Sequence, residues 1–490
     1  MNHGSVQERR SCSAGYWLAA LIAVIFGASC RAPAPVPPTR AEWKPSARQT
    51  AFLDTLQRRT FDFFWERTNP RNGLTPDRWP TKSFSSIAAV GFGLAAYPIG
   101  VERGYITRAQ ARDRVLATLK FFWHAPHDSA ESGVTGYRGF YYHFLDMETG
   151  YRFERVELST IDTTLLLGGI LVCQMYFAGD APGEAAIRAY ADSIYHRVDW
   201  RWAQARPPRV SMGWHPATGF IKADWAGYNE AMLLYVLALG TPTFALDSAA
   251  WQAWTSTYQW GRFHGQDHVG FAPLFGHQYS HMFIDFRGIS DSYMKDKGIE
   301  YFENSRRATY SQRSYAVANP DEWKGYGANS WGLTASDGPA DDSLVIDGRM
   351  RRFTEYFARG ASFNEVWDDG TIAPTALGGS IPFAPEITIP TLVSMREKHG
   401  NALFGRYGFA DAYNETYPGD RTPGMGRTIP GRGWYDTDYL GIDQGPILIM
   451  AENYRTGLIW NLLRKHPAII RGLRRAGFTG GWLDQRSATP

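Results

Sequence analysis

Two kinds of helical segment alternate along the first half of the chain, and this alternation restricts the fold more than any other feature. Residues 48–67 and 107–123 mix apolar and charged positions at helical spacing, which predicts helices with one face in water. Residues 84–97, 159–178 and 226–239 are apolar nearly all round, which predicts helices that are buried on every side. Helical hairpins arranged in a ring place one kind inside and the other outside, so the pattern predicts an all-α fold, an (α/α)6 barrel or toroid.

The rest of the chain supplies further helices and long connections between them. The predicted helices there are 183–199, 248–262, 290–316, 386–399, 441–456 and 458–465, with a short one near 278–285. Loops as long as 124–156 and 317–352 are often functional in compact domains. The stretch "GFYYHFLDMETGYRFE" predicts a small β-hairpin on the rim. Neither a sequence repeat nor a βαβ alternation is evident, so residues 48–490 are predicted to form one domain with long rim loops.

The N-terminus has the pattern of a targeting segment. Two arginines precede the apolar run "YWLAALIAVIFGA", which is short for a membrane span, and the run ends in "GASC". A small-small-Cys ending resembles the lipobox of bacterial lipoproteins, although Gly27 stands where Leu is usual. We therefore predict a lipoprotein-type signal peptide over residues 1–30, with Cys30 as the lipidated residue, and a Pro-rich tether over residues 31–47. Ordinary secretion is the alternative.

This targeting segment places the protein in the bacterial periplasm or on the cell surface, held to the membrane by lipid. An Asp directly after the lipidated Cys is associated with retention in the inner membrane. Arg31 stands at this position instead, which favours the outer membrane. Cys12 leaves with the signal, so only Cys173 remains, and neither an intramolecular disulfide nor a Cys-based zinc site is expected. The formal net charge is +3 and no block of Lys or Arg is present, which argues against nucleic-acid binding.

Glu230 stands at the head of the apolar run "AMLLYVLALG", where the sequence predicts a buried helix capped by Asp224. A buried ionised carboxylate is costly unless it is paired or neutralised. The side chain therefore needs either a cationic partner or a chemical task that suits a protonated acid.

Further acids stand near predicted buried helices, and each has a structural alternative. They are Glu157 and Asp162 in "VELSTIDTTLLLGG", Asp285 in "HMFIDFRGI", and Asp436, Asp438 and Asp443 in "GWYDTDYLGIDQGP". Asp162 with Ser159 resembles a capping box, Asp285 precedes Arg287 and could form an ion pair, and Asp443 could hold a loop together.

The functional interpretation of these acids is glycoside hydrolysis. Cleaving an acetal needs a protonated acid at the leaving oxygen and a second carboxylate for water or for the sugar carbon. The acid needs a raised pKa, which an apolar wall supplies. The high aromatic content of 15% also suits a sugar cleft, because flat rings cover the apolar C–H faces of pyranoses.

A metal site is the competing interpretation of His143, His277 and His281. His277 and His281 are four residues apart, which puts them on one face of a helix, but "HQYSH" lacks the Glu of the HExxH zinc motif. We therefore expect no metal and no cofactor.

Six segments together resemble the glycoamylase-like family, which includes bacterial endo-β-1,2-glucanases and is related to a domain of cyclic β-1,2-glucan synthases. The segments occur in order from about residue 50 to 465: "FDFFWERTNPRNGLTPDRW", "STIDTTLLLGG", "GYNEAMLLYVLALG", "YSHMFIDFRGI", "DGTIAPTALGGSIPFAPE" and "GIDQGPILIMAENYRTGLIW". The resemblance implies an (α/α)6 barrel and action on β-1,2-linked glucan without a metal.

The resemblance also implies roles for individual residues. Glu230, the Glu of "YNEA", would be the proton donor of an inverting hydrolase, with the base among Glu157, Asp162 and Asp443 in falling order. Related transglycosylating domains follow a retaining route, so the stereochemistry stays open. Substrate contacts are expected from Trp65, Trp79, Tyr142, Trp225, Tyr279, His281, Asp285, Arg287, Trp331, Trp434 and Gln444.

Alternative functions remain open at this point. The same scaffold could serve an exo-acting enzyme or a transglycosylase, since a fold hosts many functions. A non-catalytic sugar-binding lipoprotein would keep the aromatic residues without needing the acids. A polysaccharide lyase would favour Arg, Lys or His for uronates over a protonated Glu.

Overall fold

Helices dominate the backbone of this computed structural model, which describes residues 43–485. They are α1 (Ala47–Arg67), α2 (Ile87–Glu102), α3 (Arg108–His124), α4 (Thr160–Tyr176), α5 (Pro182–His196), α6 (Met232–Gly240), α7 (Ala249–Thr255), α8 (Tyr279–Phe283), α9 (Ser292–Lys297), α10 (Tyr301–Ala318), α11 (Pro374–Gly378), α12 (Pro385–His399), α13 (Gly441–Arg455), α14 (Leu458–Leu463), α15 (Pro467–Arg475) and α16 (Gly481–Asp484). Two 3₁₀ helices span Leu274–His277 and Gly400–Ala402.

The three helices that were predicted to be buried, α2, α4 and α6, pack in one series with α8 and α13. Helix α2 packs against α4, α4 against α6, α6 against α8, α8 against α13, and α13 returns to α2. Partly exposed helices cover them from outside: α1 packs on α2 and α13, α3 on α2, and α5 on α4. The alternation of apolar and amphipathic segments therefore corresponds to two classes of helix with different neighbours.

Glycines bring α2 and α4 unusually close together. A Cβ built at Gly169 would lie 1.9 Å from the carbonyl oxygen of Gly91, and one at Gly91 would lie 2.3 Å from the carbonyl oxygen of Leu165. No side chain fits at such separations, so glycine at both positions sets the distance between the two helices.

Short strands occupy the connections between the helices. They are β1 (Arg78–Trp79), β2 (Ser85–Ser86), β3 (Gly136–Tyr137), β4 (Phe140–Tyr142), β5 (Phe144–Leu145), β6 (Leu158–Ser159), β7 (Gly213–His215), β8 (Gly219–Phe220), β9 (Trp260–Phe263), β10 (Gln266–Val269), β11 (Ala335–Ser336), β12 (Asp342–Ile346), β13 (Arg349–Phe353), β14 (Phe357–Ala358), β15 (Gly360–Ser362), β16 (Glu365–Trp367), β17 (Phe404–Gly405), β18 (Gly408–Phe409), β19 (Tyr413–Asn414), β20 (Arg427–Ile429), β21 (Gly433–Tyr435) and β22 (Tyr439–Leu440). The largest sheet has the order β3-β4-β6-β7-β8 and is antiparallel, with Tyr141 opposite Ser159 and Leu158 opposite Trp214.

The predicted hairpin over residues 139–154 is confirmed only around its turn, where the Phe153 N–H donates to the Phe144 carbonyl at 3.0 Å and the Asp146 N–H to the Tyr151 carbonyl at 2.9 Å. Strand β4 pairs with β3 and β6, and β5 pairs with β2, so this stretch contributes to two sheets. A single bridge between Leu145 and Arg152 is the remnant of the predicted turn. These residues do form strands, but the strands pair with segments that are distant in the sequence.

Three predicted helices have different bounds in the structure. Helix α6 begins at Met232, because Asp224 does not cap it and is instead paired with Arg206 at 2.6 Å. The segment 248–262 ends as a helix at Thr255 and continues into strand β9. The segment 290–316 divides into α9 and α10, since Gly298 ends α9 with a φ of 70°.

Several sequence predictions lie wholly or partly outside the described residues. The signal peptide, Cys30 and most of the tether are among them, and the single-domain organisation stays a prediction. Cys173 lies buried in α4 with a free thiol. Across residues 43–485, no helix combines the length and the apolar character that crossing a bilayer requires.

Candidate active site

Glu230 lies half-buried in the turn that leads into α6. The turn is tied to α8, because the Ser280 hydroxyl donates to the Glu230 carbonyl at 2.7 Å and accepts from the Leu233 N–H at 2.9 Å. The Oε2 atom is enclosed and has no hydrogen-bond partner within the described chain. Burial raises the pKa of Glu230 to about 7, and the negative charge of Asp162 adds to this. This carboxyl group therefore retains a proton close to neutral pH.

His143 lies between two carboxylates next to this turn. Its Nδ1 is 2.8 Å from Glu157 Oε1, and its Nε2 is 3.5 Å from Asp162 Oδ1. Burial alone would lower the pKa of His143, but the charge of Asp162 and the hydrogen bond to Glu157 raise it to about 9. The imidazole is therefore a cation at neutral pH. Burial opposes ionisation of Glu157, yet this cation holds the Glu157 pKa below its ordinary value.

Asp162 has a local role as well as a position in the site. Ser159 precedes α4 as its N-cap, as the sequence predicts, and its hydroxyl accepts from the Asp162 N–H at 3.2 Å. The same hydroxyl donates to Asp162 Oδ2 at 2.5 Å. Because Oδ1 faces His143, the capping contact and the charge contact use different oxygens of one carboxylate.

A second group of acids surrounds the start of α13. Asp443 in its first turn, together with Asp337, Asp411 and Asp436, is buried, and each of the four has one enclosed oxygen without a hydrogen-bond partner within the described chain. Burial raises the pKa values of Asp411, Asp436 and Asp443, and repulsion from neighbouring carboxylates contributes. Buried acids of this kind retain protons or accept hydrogen bonds from a ligand.

Arg78 is a cation in contact with this group. It donates to Asp337 at 2.7 Å and to Asp77 at 3.2 Å, and it lies 3.8 Å from Asp438. One oxygen from each of Asp337, Asp411 and Asp436 lies within 4.8 Å of the others, a spacing that one Ca²⁺ ion could span.

Tyr279, the first residue of α8, connects the two groups of acids. Burial raises its pKa, and the charges of Asp443, Glu230 and Asp162 raise it further. These effects require all three carboxylates to be near one phenol. Glu230, Asp162 and Asp443 therefore lie near Tyr279 at the N-terminal ends of α6, α4 and α13, and we call this region the acidic chamber.

Two of the predicted substrate contacts lie at the surface. Trp79 is 38% exposed and follows Arg78, with the Arg67 guanidinium 4.4 Å from its ring centroid. Arg287 is exposed and lies over the Trp460 ring at 4.2 Å, but it also donates to Asp285 at 2.7 Å. Asp285 is buried between Arg287 and Arg464 and pairs with both, so the structural alternative, an ion pair with Arg287, is confirmed for this residue.

Other predicted contacts face the interior of the described chain. Trp331 and Trp434 are both 0% exposed, and their indole N–H groups donate to Thr391 and to the Met425 carbonyl. His281, Gln444, Trp225, Tyr142 and Trp65 are likewise covered by protein to a large degree. Their rings and amides fill space between elements, so we leave all seven out of the proposal below.

Two of the three histidines of the metal alternative, His277 and His281, belong to different elements. His277 ends a 3₁₀ helix and its Nε2 is 3.1 Å from the Phe271 carbonyl, whereas the His281 Nε2 in α8 is 3.2 Å from the Ser305 hydroxyl. Burial lowers the pKa of each to about 3. Both are neutral interior residues, and neither is part of the acidic chamber described above.

Several chamber residues were not identified from the sequence. They are Asp77, Arg78, Asp337, Asp411 and Tyr356, whereas His143 was considered as a metal ligand. "PDRW" contains an adjacent acid and base that could have been noticed, but Asp337 and Asp411 lie in loops without periodicity.

Comparison with known proteins gives consistent matches. A family model described as "Putative glucoamylase" matches residues 222–467. An exo β-1,2-glucooligosaccharide sophorohydrolase from Parabacteroides distasonis is 28% identical over 460 residues, covering 86% of this chain and 57% of that protein. The chain thus spans little more than half the length of this curated relative.

Solved structures extend the likeness over most of the chain. A crystal structure from Bacteroides uniformis with the same glucoamylase description is 31% identical with a TM-score of 0.75, covering 90% of this chain and 100% of the other. The endo-β-1,2-glucanase of Chitinophaga pinensis, solved with sophorotriose and glucose, is 27% identical with a TM-score of 0.75 and the same coverage.

Proposed function

The chain belongs to this glucoamylase family, and from that premise we propose that it is a glycoside hydrolase that cleaves β-1,2-linked glucan by acid/base catalysis. The observation that supports this most strongly is the half-buried Glu230, whose pKa of about 7 suits a proton donor. The Parabacteroides and Chitinophaga relatives are both described as acting on β-1,2-linked glucose.

The proposal includes an (α/α)6 barrel. Its inner ring would consist of α2, α4, α6, α8, α11 and α13, and the packing of α2 on α4, α6 on α8 and α13 on α2 supports this order. Glu230, Asp162, Tyr279 and Asp443 all stand at or before the first turn of an inner helix. The chamber would then lie at the mouth where the N-termini of the inner helices meet.

The proposed reaction is a single displacement at the anomeric carbon. Glu230 donates its proton to the glycosidic oxygen as the C1–O bond breaks, and water forms the new C1–O bond while its proton passes to a carboxylate. In an inverting enzyme the two carboxyl groups stand roughly 6.5–9.5 Å apart to admit that water. The products are a free reducing end and a shortened chain.

We assign the base role to Asp443 ahead of Asp162 and Glu157, which reverses the order expected from the sequence. Glu157 and Asp162 are both engaged by the His143 cation. Asp443 has an enclosed oxygen without a partner in the described chain, and its helix α13 is separated from α6 by α8. Burial raises the pKa of Asp443 to about 7, so part of the population is ionised at neutral pH, and that ionised form is a stronger base than an ordinary aspartate. Its proton transfer could run directly or through a sugar hydroxyl.

Endo and exo action are the two forms of this function, and transglycosylation on the same scaffold is a third. The relative from Parabacteroides is described as exo-acting and the one from Chitinophaga as endo-acting. Release of sophorose alone from long glucan supports exo action, whereas a ladder of oligosaccharides at early times supports endo action. Products longer than the substrate would indicate transglycosylation.

We further propose that the protein works in the periplasm or at the cell surface, anchored through lipid on Cys30. The support is the arginine-flanked apolar run that ends in "GASC". Membrane fractionation of the full chain and of Cys30→Ala tests this, and an unchanged membrane fraction for the variant contradicts it.

Incubation of the mature protein with linear β-1,2-glucan tests the function. Reducing ends should appear, and NMR of the first products should show the α-anomer if the reaction inverts. Linear β-1,3-glucan is the substrate control. The activities of Asp443→Asn, Asp162→Asn and Glu157→Gln on β-1,2-glucan identify which carboxylate is the base. Absence of new reducing ends, with the sugar merely bound, would leave the sugar-binding lipoprotein as the correct function.

A further inference from the structure

A surface pocket lies on the strands β13 to β16, outside the acidic chamber. Its volume is about 350 Å³, within the range of about 300–1,000 Å³ for small-ligand sites. Phe357, Val366 and Trp367 form its apolar side, and Arg352, Thr354 and Asp368 supply polar groups. We call it the rim pocket.

The rim pocket presents aromatic surface to water. Trp367 is 49% exposed, and its ring lies 5.3 Å from that of Phe357 at an angle of 59°. Among the described residues, five of the nine large apolar side chains that are exposed lie between residues 345 and 367. Such a concentration of exposed apolar surface is typical of a binding site.

The pocket adjoins the acidic chamber through a strand pair. Ser336 of β11 is opposite Phe357 of β14, so Asp337, which follows β11, lies beside Tyr356, which precedes β14. Tyr356 is 56% exposed, and burial and, in addition, the charges of Asp443 and Asp411 raise the pKa of its phenol, so these carboxylates are near it. Tyr356 is thus next to Asp337 of the chamber on one side and is followed by Phe357, whose ring contacts Trp367.

The floor of the pocket is rigid. Arg359 forms a buried ion pair with Asp369 at 2.7 Å and donates to the Ser336 carbonyl at 2.7 Å, which fixes β14 on β11. Tyr326 and Tyr315 donate to the two oxygens of Asp368 at 2.6 Å and 3.0 Å. A pocket whose walls are held in this way needs little reorganisation on binding.

We propose that the rim pocket is a glucosyl-binding subsite that holds a unit of the glucan chain beyond the acidic chamber, with Trp367 stacked on a pyranose face. This inference rests on the proposed function, since it takes glucan as the ligand. It makes the enzyme prefer long chains over the shortest substrate, because only a long chain fills the chamber and the rim pocket together.

The test compares Trp367→Ala with Phe244→Ala, a control at another aromatic residue of similar exposure, 45%. For Trp367→Ala, KM for long linear β-1,2-glucan should rise about fivefold, since an aromatic contact is worth on the order of 1 kcal/mol. The kcat and the KM for the shortest cleaved oligosaccharide should not change, and Trp367→Phe should restore most of the loss. An unchanged KM for long glucan in Trp367→Ala overturns the inference.

Affinity electrophoresis in gels that contain linear β-1,2-glucan separates this inference from the proposed function. Wild type should be retarded, and Trp367→Ala should migrate nearer to its position in a glucan-free gel. Equal retardation of wild type and Trp367→Ala overturns the subsite. A protein that binds glucan through Trp367 without cleaving it keeps the subsite and contradicts the hydrolase.

Discussion

Glu230→Gln should stabilise the protein at alkaline pH, because it removes a carboxyl group that folding holds protonated. The pKa of Glu230 rises from 4.5 to about 7 on folding, mainly through burial. The folded state then holds this proton more tightly than the unfolded state. The stabilising effect is complete below pH 4.5 and is lost as the pH rises through 7.

The size of the effect follows from these two values. Each pH unit corresponds to about 1.4 kcal/mol, so the free energy of unfolding that is lost relative to acid pH approaches about 3 kcal/mol at pH 8 and is about 1 kcal/mol at pH 5, where only the unfolded chain ionises. Glutamine has the same shape and no charge. The free energy of unfolding of Glu230→Gln should therefore exceed that of wild type by about 2 kcal/mol more at pH 8 than at pH 5.

Urea unfolding of both proteins at pH 5, 6, 7 and 8 measures this difference. Glu131→Gln, at an exposed position, is the control and should show no such trend. A constant difference between Glu230→Gln and wild type across these pH values would refute the argument, because it would mean that Glu230 titrates alike in the folded and unfolded chain.

Three further predictions address catalysis, electrostatics and packing. The kcat/KM for linear glucan should fall about tenfold per pH unit above pH 7, as Glu230 loses its proton, and a flat profile to pH 9 contradicts this. His143→Gln should lower the free energy of unfolding by roughly 3 kcal/mol at pH 6 and by much less at pH 10. The reason is that the folded-state pKa of about 9 lies above the ordinary 6.5, so the stabilisation is lost as pH rises through 9; equal losses at both pH values count against the ion contact. Gly169→Ala should cost at least about 1–3 kcal/mol, because its Cβ would meet the Gly91 carbonyl, whereas Gly327→Ala, with open space around it, should be near neutral in thermal unfolding. A Tm for Gly169→Ala equal to that of the control contradicts the close packing.

The helices could be predicted where local signals agree. Helix α1 was predicted within one residue at its start, since Ser46 and Gln49 form a capping box, and α3 has the same device in Thr107 and Gln110. Helix α6 was predicted too early, because Asp224 looks like a cap in sequence but pairs with Arg206. The ion pair between Asp224 and Arg206 is a tertiary contact, so the sequence around Asp224 does not indicate it.

The candidate site could be predicted only where acids adjoin apolar helices. Glu230, Asp162 and Asp443 stand at the starts of apolar runs, so burial and charge conflict visibly in the sequence. Asp337 and Asp411 reach the chamber through short strands of the rim, whose pairings join residues distant in sequence. These acids could not be distinguished from ordinary loop residues.

Aromatic residues illustrate a second limit of the sequence. Trp331 and Trp434 were expected at the substrate, yet both are enclosed, whereas Trp367 was not considered and is among the most exposed. A ring that packs in the core and a ring that stacks on sugar have the same composition and similar neighbours in sequence. Only the position of a loop relative to the chamber distinguishes them.

The role of Glu230 as the proton donor is tested most directly by varying the leaving group. Linear β-1,2-glucan needs a proton on its leaving oxygen, whereas a 2,4-dinitrophenyl sophoroside does not. For Glu230→Gln, kcat should fall by about 10²–10⁴-fold on glucan and by less than about tenfold on the dinitrophenyl substrate. Equal losses on the two substrates, or full activity of the variant on glucan, would contradict the account.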